Sequence, residues 1–565
     1  MVVAEYIVSS LVNLGVTDVF GLPGGVVLDF LYAADANPNI EVHLSNHEQA
    51  AGYAAIGYAQ SSKRLGVAYA TRGPGFTNLI TPIADAYFDS IPVFFITGHT
   101  KNRNSSKVRF IEEQEFDTIS VVDNITKYSC WIDSVSQVKE ELIKLFRAAL
   151  TGRCGSVFLD ISVSTLRAEI NEDLIDSSIF VDNITENLDK DCSLIIEELR
   201  KAQCPVILIG NGVRQSSSEK KLIEFAEKLQ IPVLSSSISV DVVNSFDFYF
   251  GYIGSHGSRL ANLILMNTDF ILSLGNRMAY NRNSDTFGCV SHKKVMRIEV
   301  DSAEIDYEQK NTVFITVELR KILTKLVLLD YANIDYSEWM AKCREVRAYL
   351  DDYDFQNVHS RIGRLLKMAS EKTIFVSDVG NNEFFLLQSY RYSKLRNRLL
   401  MSKSFSALGS SLPKAIGTYY SSREIVVAFM GDQGALFNVQ ELLYISKHHL
   451  PIKIIILNNK SSGMIKSREL IQKRNKLLHT TSHDGYYSAD FRKIAKAFDI
   501  DYYIFDTLDD ETLKKNLYSE SPCLIEVDID EDLELPQLPK GNKMYDFELN
   551  IDSKLISKIR NIMEC

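Results

Sequence analysis

Short runs of apolar and β-branched residues recur along this chain, separated by stretches of helical character, and they fall into three groups. The first group holds LGVAYA, VFFITG and SVFLDIS. The second holds PVILIGNG, IPVLSSS, FILSLGNR and VMRIEVD, and the third TIFVSDVG, EIVVAFMGD, IKIIILNN and CLIEVDI. Parallel strands need a crossover connection, usually a helix, so strand runs alternating with helices imply parallel sheets. The expected fold class is α/β, with three doubly wound parallel-sheet domains. Their expected spans are residues 1–165, 185–330 and 355–535, followed by a C-terminal tail over 536–565. An acidic stretch, AEINEDLIDSSIFVDNITENLDKD, reads as the first linker, and the charged helical SEWMAKCREVRAYLDDYD as the second. A length of 565 residues suits three such domains.

The third group carries the sharpest chemical signal. EIVVAFM feeds a Gly431-Asp432 turn, a helical stretch follows, and IKIIIL then ends on Asn458 and Asn459. Strand, loop, helix and strand in that order should bring Asp432 and Asn459 together at the carboxyl edge of neighbouring parallel strands. Open α/β sheets bind their ligands there. A carboxylate and an amide oxygen, with a backbone carbonyl beyond, suit Mg²⁺, which takes few protein oxygens and fills its octahedron with phosphate and water. A diphosphate held through a metal is the implied chemistry.

Composition removes several other classes. A net charge of −11 leaves no basic excess for non-specific nucleic-acid binding. Eight cysteines lie scattered with no CxxC pair, which is neither a zinc site nor a disulfide framework and suits a reducing, cytoplasmic compartment. The opening MVVAEYIVSSLVNLGV lacks a basic leader and reads as an amphipathic helix. No apolar run approaches the length of a membrane span.

The segment from Gly431 to Asn459 resembles the thiamine-diphosphate motif, in which Gly-Asp-Gly precedes Asn-Asn by about two dozen residues; here Asp432 and Asn459 stand 27 positions apart. NVQELL, LPIKIIILNN and SGMI resemble the acetohydroxyacid (acetolactate) synthase branch of these enzymes, and the resemblance covers nearly the whole chain. It implies a pyrimidine-binding first domain, a central domain and a diphosphate-binding third domain, with thiamine diphosphate and Mg²⁺ as cofactors. Asp432, Asn459 and the Ser461 carbonyl would hold the metal. Gly380, Asn381, Asn382, Gly431, Gln433, Gly434 and Met464 would lie along the cofactor. Leu408 would wedge it into a bent conformation, with the Ser406 carbonyl accepting from its amino group. Gly73, Pro74 and Gly75 form a tight turn close to it. Glu48, in HEQAA, aligns with the family's catalytic glutamate; bonded to the aminopyrimidine, it favours the tautomer that takes the proton from the reactive carbon. Because the family pairs the first domain of one subunit with the third of another, a homodimer or homotetramer with sites across the interface follows. Many of these enzymes hold FAD in the middle domain, and Gly210, Gly212, Gly254, His256, Gly257 and Arg277 match those stretches. An empty Rossmann-like cleft is the alternative.

Several positions depart from the family pattern. Gln433 replaces the second Gly of the motif, and Asn381-Asn382 replace Gln-His. Glu113-Gln114-Glu115 stands where Phe-Gln-Glu is usual. Arg72 replaces a small residue, His99 a Gln, and Arg468 a Trp. With Gly24 of FGLPGGVV, the residues Arg72, His99, Glu113, Gln114 and Arg468 are the expected substrate positions. Charged and polar groups there suit an acceptor rich in hydroxyls or phosphate, such as a keto-sugar, since Arg grips phosphate in a fork. The expected activity is decarboxylation of a 2-oxo acid, pyruvate first among them, and transfer of the acyl unit to a carbonyl acceptor. The alternatives are an acetolactate synthase using a second pyruvate and a simple decarboxylase that releases aldehyde.

Overall fold

The computed structural model describes residues 1–100, 113–180, 187–254, 256–278, 290–304, 311–331, 333–350, 357–531 and 551–563. The apolar runs of the sequence become three six-stranded sheets in which every strand pair is parallel. The first contains β1 (Asp18–Gly21), β2 (Glu41–Leu44), β3 (Gly66–Tyr69), β4 (Val93–His99), β5 (Tyr128–Ile132) and β6 (Ser156–Ser162), in the order β2-β1-β3-β4-β6-β5. The second contains β7 (Pro205–Ile209), β8 (Val233–Ser235), β9 (Tyr249–Tyr252), β10 (Phe270–Leu274), β11 (Lys294–Glu299) and β12 (Thr312–Thr316), in the order β12-β11-β10-β7-β8-β9. The third contains β13 (Ile374–Ser377), β14 (Leu399–Leu400), β15 (Val426–Gly431), β16 (Ile452–Asn458), β17 (Asp501–Ile504) and β18 (Cys523–Asp528), in the order β14-β13-β15-β16-β18-β17. Central strands such as β4, β7 and β16 are buried at every position, because helices cover both faces of a parallel sheet.

Strand order differs between the domains in a way that matters for ligands. The first and third sheets share one order, and their chain direction switches between β1 and β3 and between β13 and β15. The middle sheet, read from β9, follows the 3-2-1-4-5-6 order of dinucleotide-binding folds and switches between β7 and β10. Each switch opens a crevice beyond the strand ends.

One core joins the first and third domains. The helix Glu48–Ser62 is rich in small residues (EQAAGYAAIGYAQSS) and is buried along most of its length. It crosses the helix Ser411–Ser422 so closely that a Cβ on Gly57 would stand 2.1 Å from the Lys414 carbonyl oxygen, and one on Gly417 1.8 Å from that of Ala54. Backbone meets backbone there, which only glycine allows. At the other end of the chain, the helix Ser553–Met563 packs Ile559 and Met563 into the core of the middle domain. Five cysteines (130, 154, 192, 343 and 523) are free, whereas Cys204 is disulfide-bonded, an exception to the thiol-only reading of the sequence. Among the described residues, no helix is long and apolar enough to cross a membrane.

Candidate active site

In the third domain the switch point gathers the metal-motif residues. Gly431 on β15 pairs in register with Leu457 on β16, so Asp432 and Asn458-Asn459 leave adjacent strands at the same edge, as the motif requires. Asp432 is buried, and its Oδ2 accepts from the Tyr486 hydroxyl at 2.8 Å. Burial raises its carboxyl pKa, opposed by hydrogen bonds from Tyr486 and Ser488. The two asparagines divide their work. Asn458 is structural: it donates to Glu526 at 2.6 Å and accepts from Lys460 N–H and Ser488. Asn459 Nδ2 donates one of its two N–H groups to Ser461 Oγ at 3.0 Å.

Across the switch, Gly380 (φ +103°) precedes the helix Asn381–Ser393. The Asn381 Oδ1 atom is buried and, among the described residues, has no hydrogen-bond partner. A Cβ on Gly463 would meet Asn459 Nδ2 at 2.7 Å and Asn381 Nδ2 at 2.8 Å, so both amides converge on one glycine. Asn382 donates to the Asp378 carbonyl at 3.0 Å and belongs to the frame of the turn. Asp378, wholly buried, accepts from Gly409 N–H at 3.0 Å on each carboxylate oxygen and from Val379 N–H at 2.7 Å. Burial pushes its pKa up to about 6 against those bonds. The Gly409 carbonyl in turn accepts from Asn438 Nδ2 at 2.7 Å. Leu408 therefore sits on a peptide clamped from both sides, and its Cδ1 lies 3.4 Å from where a Cβ of Gly434 would stand. Ser406 (φ +58°) is exposed at the head of this turn, and so are Gln433 and Met464.

In the first domain Glu48 opens its helix behind an N-cap formed by His47, whose Nδ1 accepts from Gln49 N–H at 3.1 Å. Glu48 is buried, and its Oε2 accepts from Asn78 Nδ2 at 2.9 Å. The Gly73 turn (φ +63°) brings Gly75 alongside, where an added Cβ would be 3.3 Å from Glu48 Oε1. Among the described residues, the hydrogen bond of Glu48 is to its own domain, and none joins it to Asp432 or Asn459 of the same chain.

The middle domain has a cavity of about 1030 Å³ at its own switch point, lined by Gly210 and Gly212 after β7 and by Gly275, Asn276 and Arg277 after β10. It reaches Asp89 and Ser90 of the first domain and Lys403 and Ser404 of the third. Gly210 and Gly212 serve a backbone approach: a Cβ on either would come within 2.7 Å of Gly275. Arg277 lies between Glu304 (3.5 Å) and the Phe88 carbonyl (3.4 Å).

Three family models match this chain: the N-terminal TPP-binding domain of thiamine pyrophosphate enzymes over residues 1–121, their central domain over 193–326, and their C-terminal TPP-binding domain over 378–527. The large subunit of acetolactate synthase from Lactococcus lactis is 31% identical across 95% of this chain and 94% of its own length. The large subunit of isozyme 2 from Escherichia coli is 29% identical across 94% and 95%, and chloroplastic acetolactate synthase 1 of Zea mays 29% across 98% and 89%. The chain belongs to the thiamine pyrophosphate enzymes, in their acetolactate synthase-like group. It is an enzyme of that type, built on their three-domain α/β fold.

The residues fit what a thiamine pyrophosphate enzyme must hold. Asp432, Asn459 Oδ1 and the Ser461 carbonyl are hard oxygen donors suited to Mg²⁺. The unpartnered Asn381 Oδ1 and the glycine-lined floor at Gly434 and Gly463 leave polar groups and space at the strand ends.

The expected substrate positions divide. Gly24, Arg72 and Gln114 gather at the first-domain turn: a Cβ on Gly24 would meet Thr71 at 2.3 Å, and one on Gly73 would meet Gln114 Cβ at 2.4 Å. Arg72 is committed to Glu115 (2.6 Å) and Thr100 (2.8 Å), which consumes much of its donor capacity. Glu113 is exposed, and Arg468 is exposed on the helix Gly463–Ile471. His99, the remaining expected position, sits at the end of β4. It is buried, with Nδ1 on Asp160 (2.9 Å), Nε2 on Asp133 (2.8 Å) and its ring stacked on Trp131. Burial pulls its pKa down, but the bonds and charges of Asp160 and Asp133 outweigh that pull, and the net direction is up.

Of the expected dinucleotide residues, Gly210, Gly212 and Arg277 line the cavity; Gly254, His256 and Gly257 are not among its lining residues. His256 instead stacks on Phe384 of the third domain at 3.9 Å, and burial together with the Lys403 charge lowers its pKa to about 4. Sequence reading misses Asn78, Asp378, Asn438, Glu441 and Tyr486. Asn78 closes the RGPGFTN stretch and Asp378 precedes Val379-Gly380, so both carry a local signal. Tyr486 lies 54 positions beyond Asp432 and carries none.

Proposed function

We propose that this enzyme is a thiamine diphosphate- and Mg²⁺-dependent carboligase that decarboxylates a 2-oxo acid, with pyruvate as donor, and transfers the acyl unit to a carbonyl acceptor. The observation that carries it is the pairing of a buried, Asn78-bonded Glu48 with an Asp432–Asn459–Ser461 donor set at sheet switch points of separate domains. Bound thiamine diphosphate supplies the electron sink that makes loss of CO₂ feasible. Asp432, Asn459 and Ser461 would hold its metal, and Gly380, Asn381 and Gly431–Gly434 would contact the diphosphate. The clamped Ser406–Gly409 turn would present the Ser406 carbonyl and the Leu408 side chain to the cofactor. Glu48 would hold a proton at the cofactor's ring nitrogen, with Asn78 fixing its Oε2.

Since Glu48 bonds within its own domain, we place it beside the diphosphate half of a second copy, which makes the active unit a homodimer or a homotetramer. Mixing Glu48→Gln chains with Asp432→Asn chains tests this. Each variant alone is inactive, and a mixture regains activity because mixed pairs hold one intact site; inactivity of the refolded mixture overturns the shared site.

For the acceptor we propose a polar carbonyl compound such as a keto-sugar, read from Gln114, Glu113 and Arg468. The housekeeping reading, with a second pyruvate as acceptor, draws support from Arg72 and His99, whose polar groups are spent on internal partners. Product analysis with pyruvate alone separates the two: rapid acetolactate formation favours the second, and turnover dependent on an added keto-sugar the first. Aldehyde as the main product in both cases would make the enzyme a decarboxylase. We further propose FAD for the middle cavity, on its strand order and its place at the switch point.

A further inference from the structure

Two side chains and one backbone carbonyl of the third domain reach into the turn that launches Glu48. Glu441 Oε1 accepts from the Asn46 backbone N–H at 3.0 Å, and the Gln440 carbonyl accepts from Asn46 Nδ2 at 3.2 Å. Asn438 Nδ2 stands 3.5 Å from Gln49 Oε1 while it holds the Gly409 carbonyl. Glu441 and Asn438 are each 1% exposed, so on their side these bonds are shielded from water, where an unmade bond is costly, although Asn46 itself is exposed. Glu48 lies between Asn46 and Gln49, two residues beyond the amide that Glu441 receives.

We propose that Glu441 is a positioning residue for Glu48: it seats the turn over residues 45–47, so that the third domain of each chain aims the acid of its own first domain. The inference rests on the reading of Glu48 given above. A carboxylate accepting an N–H bond is roughly twice as strong a partner as a neutral group. Burial pushes the Glu441 pKa up to about 7, opposed by the backbone and side-chain donors of Asn46, and among the described residues no charged side chain contributes. Below that pH the bond to Asn46 loses its ionic component and the seat loosens.

The test compares Glu441→Gln and Glu441→Ala with the parent enzyme. In cofactor-free protein, hydrogen exchange at the Asn46 amide is slow in the parent, faster in the Gln variant and fastest in the Ala variant. In the loaded enzyme, kcat falls about ten- to a hundredfold in the Ala variant, the scale of an ångström-level misplacement, with the KM for thiamine diphosphate unchanged. The parent loses kcat as pH drops through about 7, and the Gln variant runs at that acid plateau across the range. Should the Ala variant fail to fold, the Gln variant alone carries the test. Parent-like kcat and pH dependence in the Gln variant overturn the proposal. Full activity in Glu48→Gln would instead overturn the reading of Glu48, a separable failure.

Discussion

Glu48, the proposed catalytic acid, and its partner show how little of such a side chain's setting is its own. The carboxylate is buried, and Asn78 donates to its Oε2, which leaves Oε1 as the oxygen for the cofactor in the proposed site. Asn78→Ala should lower kcat about tenfold, the scale of a lost orienting bond of about 1.4 kcal/mol, while cofactor KM holds; steady-state kinetics in varied thiamine diphosphate check it. Asp378 makes a different prediction. Its pKa is raised by burial from 3.8 to about 6, so the folded state keeps its proton over a range where the unfolded chain has lost it. Its contribution to stability is complete below pH 3.8 and lost as pH climbs through about 6. Asp378→Asn removes that dependence. Denaturant titrations of cofactor-free protein should show the parent losing on the order of 2–3 kcal/mol more than the variant between pH 4 and pH 7.

Helix crossings explain what the sequence hides at the next level. Alanine in place of glycine inside a helix normally stabilises by up to about 1 kcal/mol. At Gly417 the new Cβ would stand 1.8 Å from the Ala54 carbonyl oxygen, a backbone atom that cannot swing aside. Gly417→Ala should therefore destabilise by about 1–3 kcal/mol or more, read as a lower denaturant midpoint. At the same junction Lys414 and Asp85, both 0% exposed, form an ion pair at 3.1 Å, with Ser402 between them. Lys414→Met strands a buried carboxylate and should cost about 3–5 kcal/mol; adding Asp85→Leu should recover most of it. The strand runs, the glycine turns and the metal motif are legible in the sequence because each is a local pattern. The Lys414–Asp85 pair is not, since it spans 329 positions and its partners read alone as surface charges. The setting of His99 is hidden for a related reason: its two carboxylates come from β6 and from the residue after β5, which only the sheet order brings together.

Across the molecule, two domains share one strand order and the third does not, which separates two binding tasks. The first and third place their switch points at the Gly24–Thr71 contact and at the 378–382 and 431–434 turns, the two halves of the site we propose for thiamine diphosphate. The middle domain places its own at Gly210 and Gly275, facing a cavity near the upper end of the roughly 300–1,000 Å³ range of small-molecule pockets. That cavity also touches Asp89 and Ser90 of the first domain and Lys403 and Ser404 of the third, so an occupant would bind all three domains at once. A ligand that binds only the folded state stabilises it by about 2.7 kcal/mol at a hundred times its dissociation constant. Saturating FAD should therefore raise the melting temperature of cofactor-free enzyme by several degrees, and Arg277→Ala should shrink that shift by removing the cationic donor that lines the cavity. Arg277 also ties Glu304 to the Phe88 carbonyl, so the comparison must be of the shift on adding FAD and not of the starting melting temperature. An unchanged melting temperature at saturating FAD would leave the cavity as a Rossmann-like cleft without a flavin, and the shared site of the outer domains would stand without it.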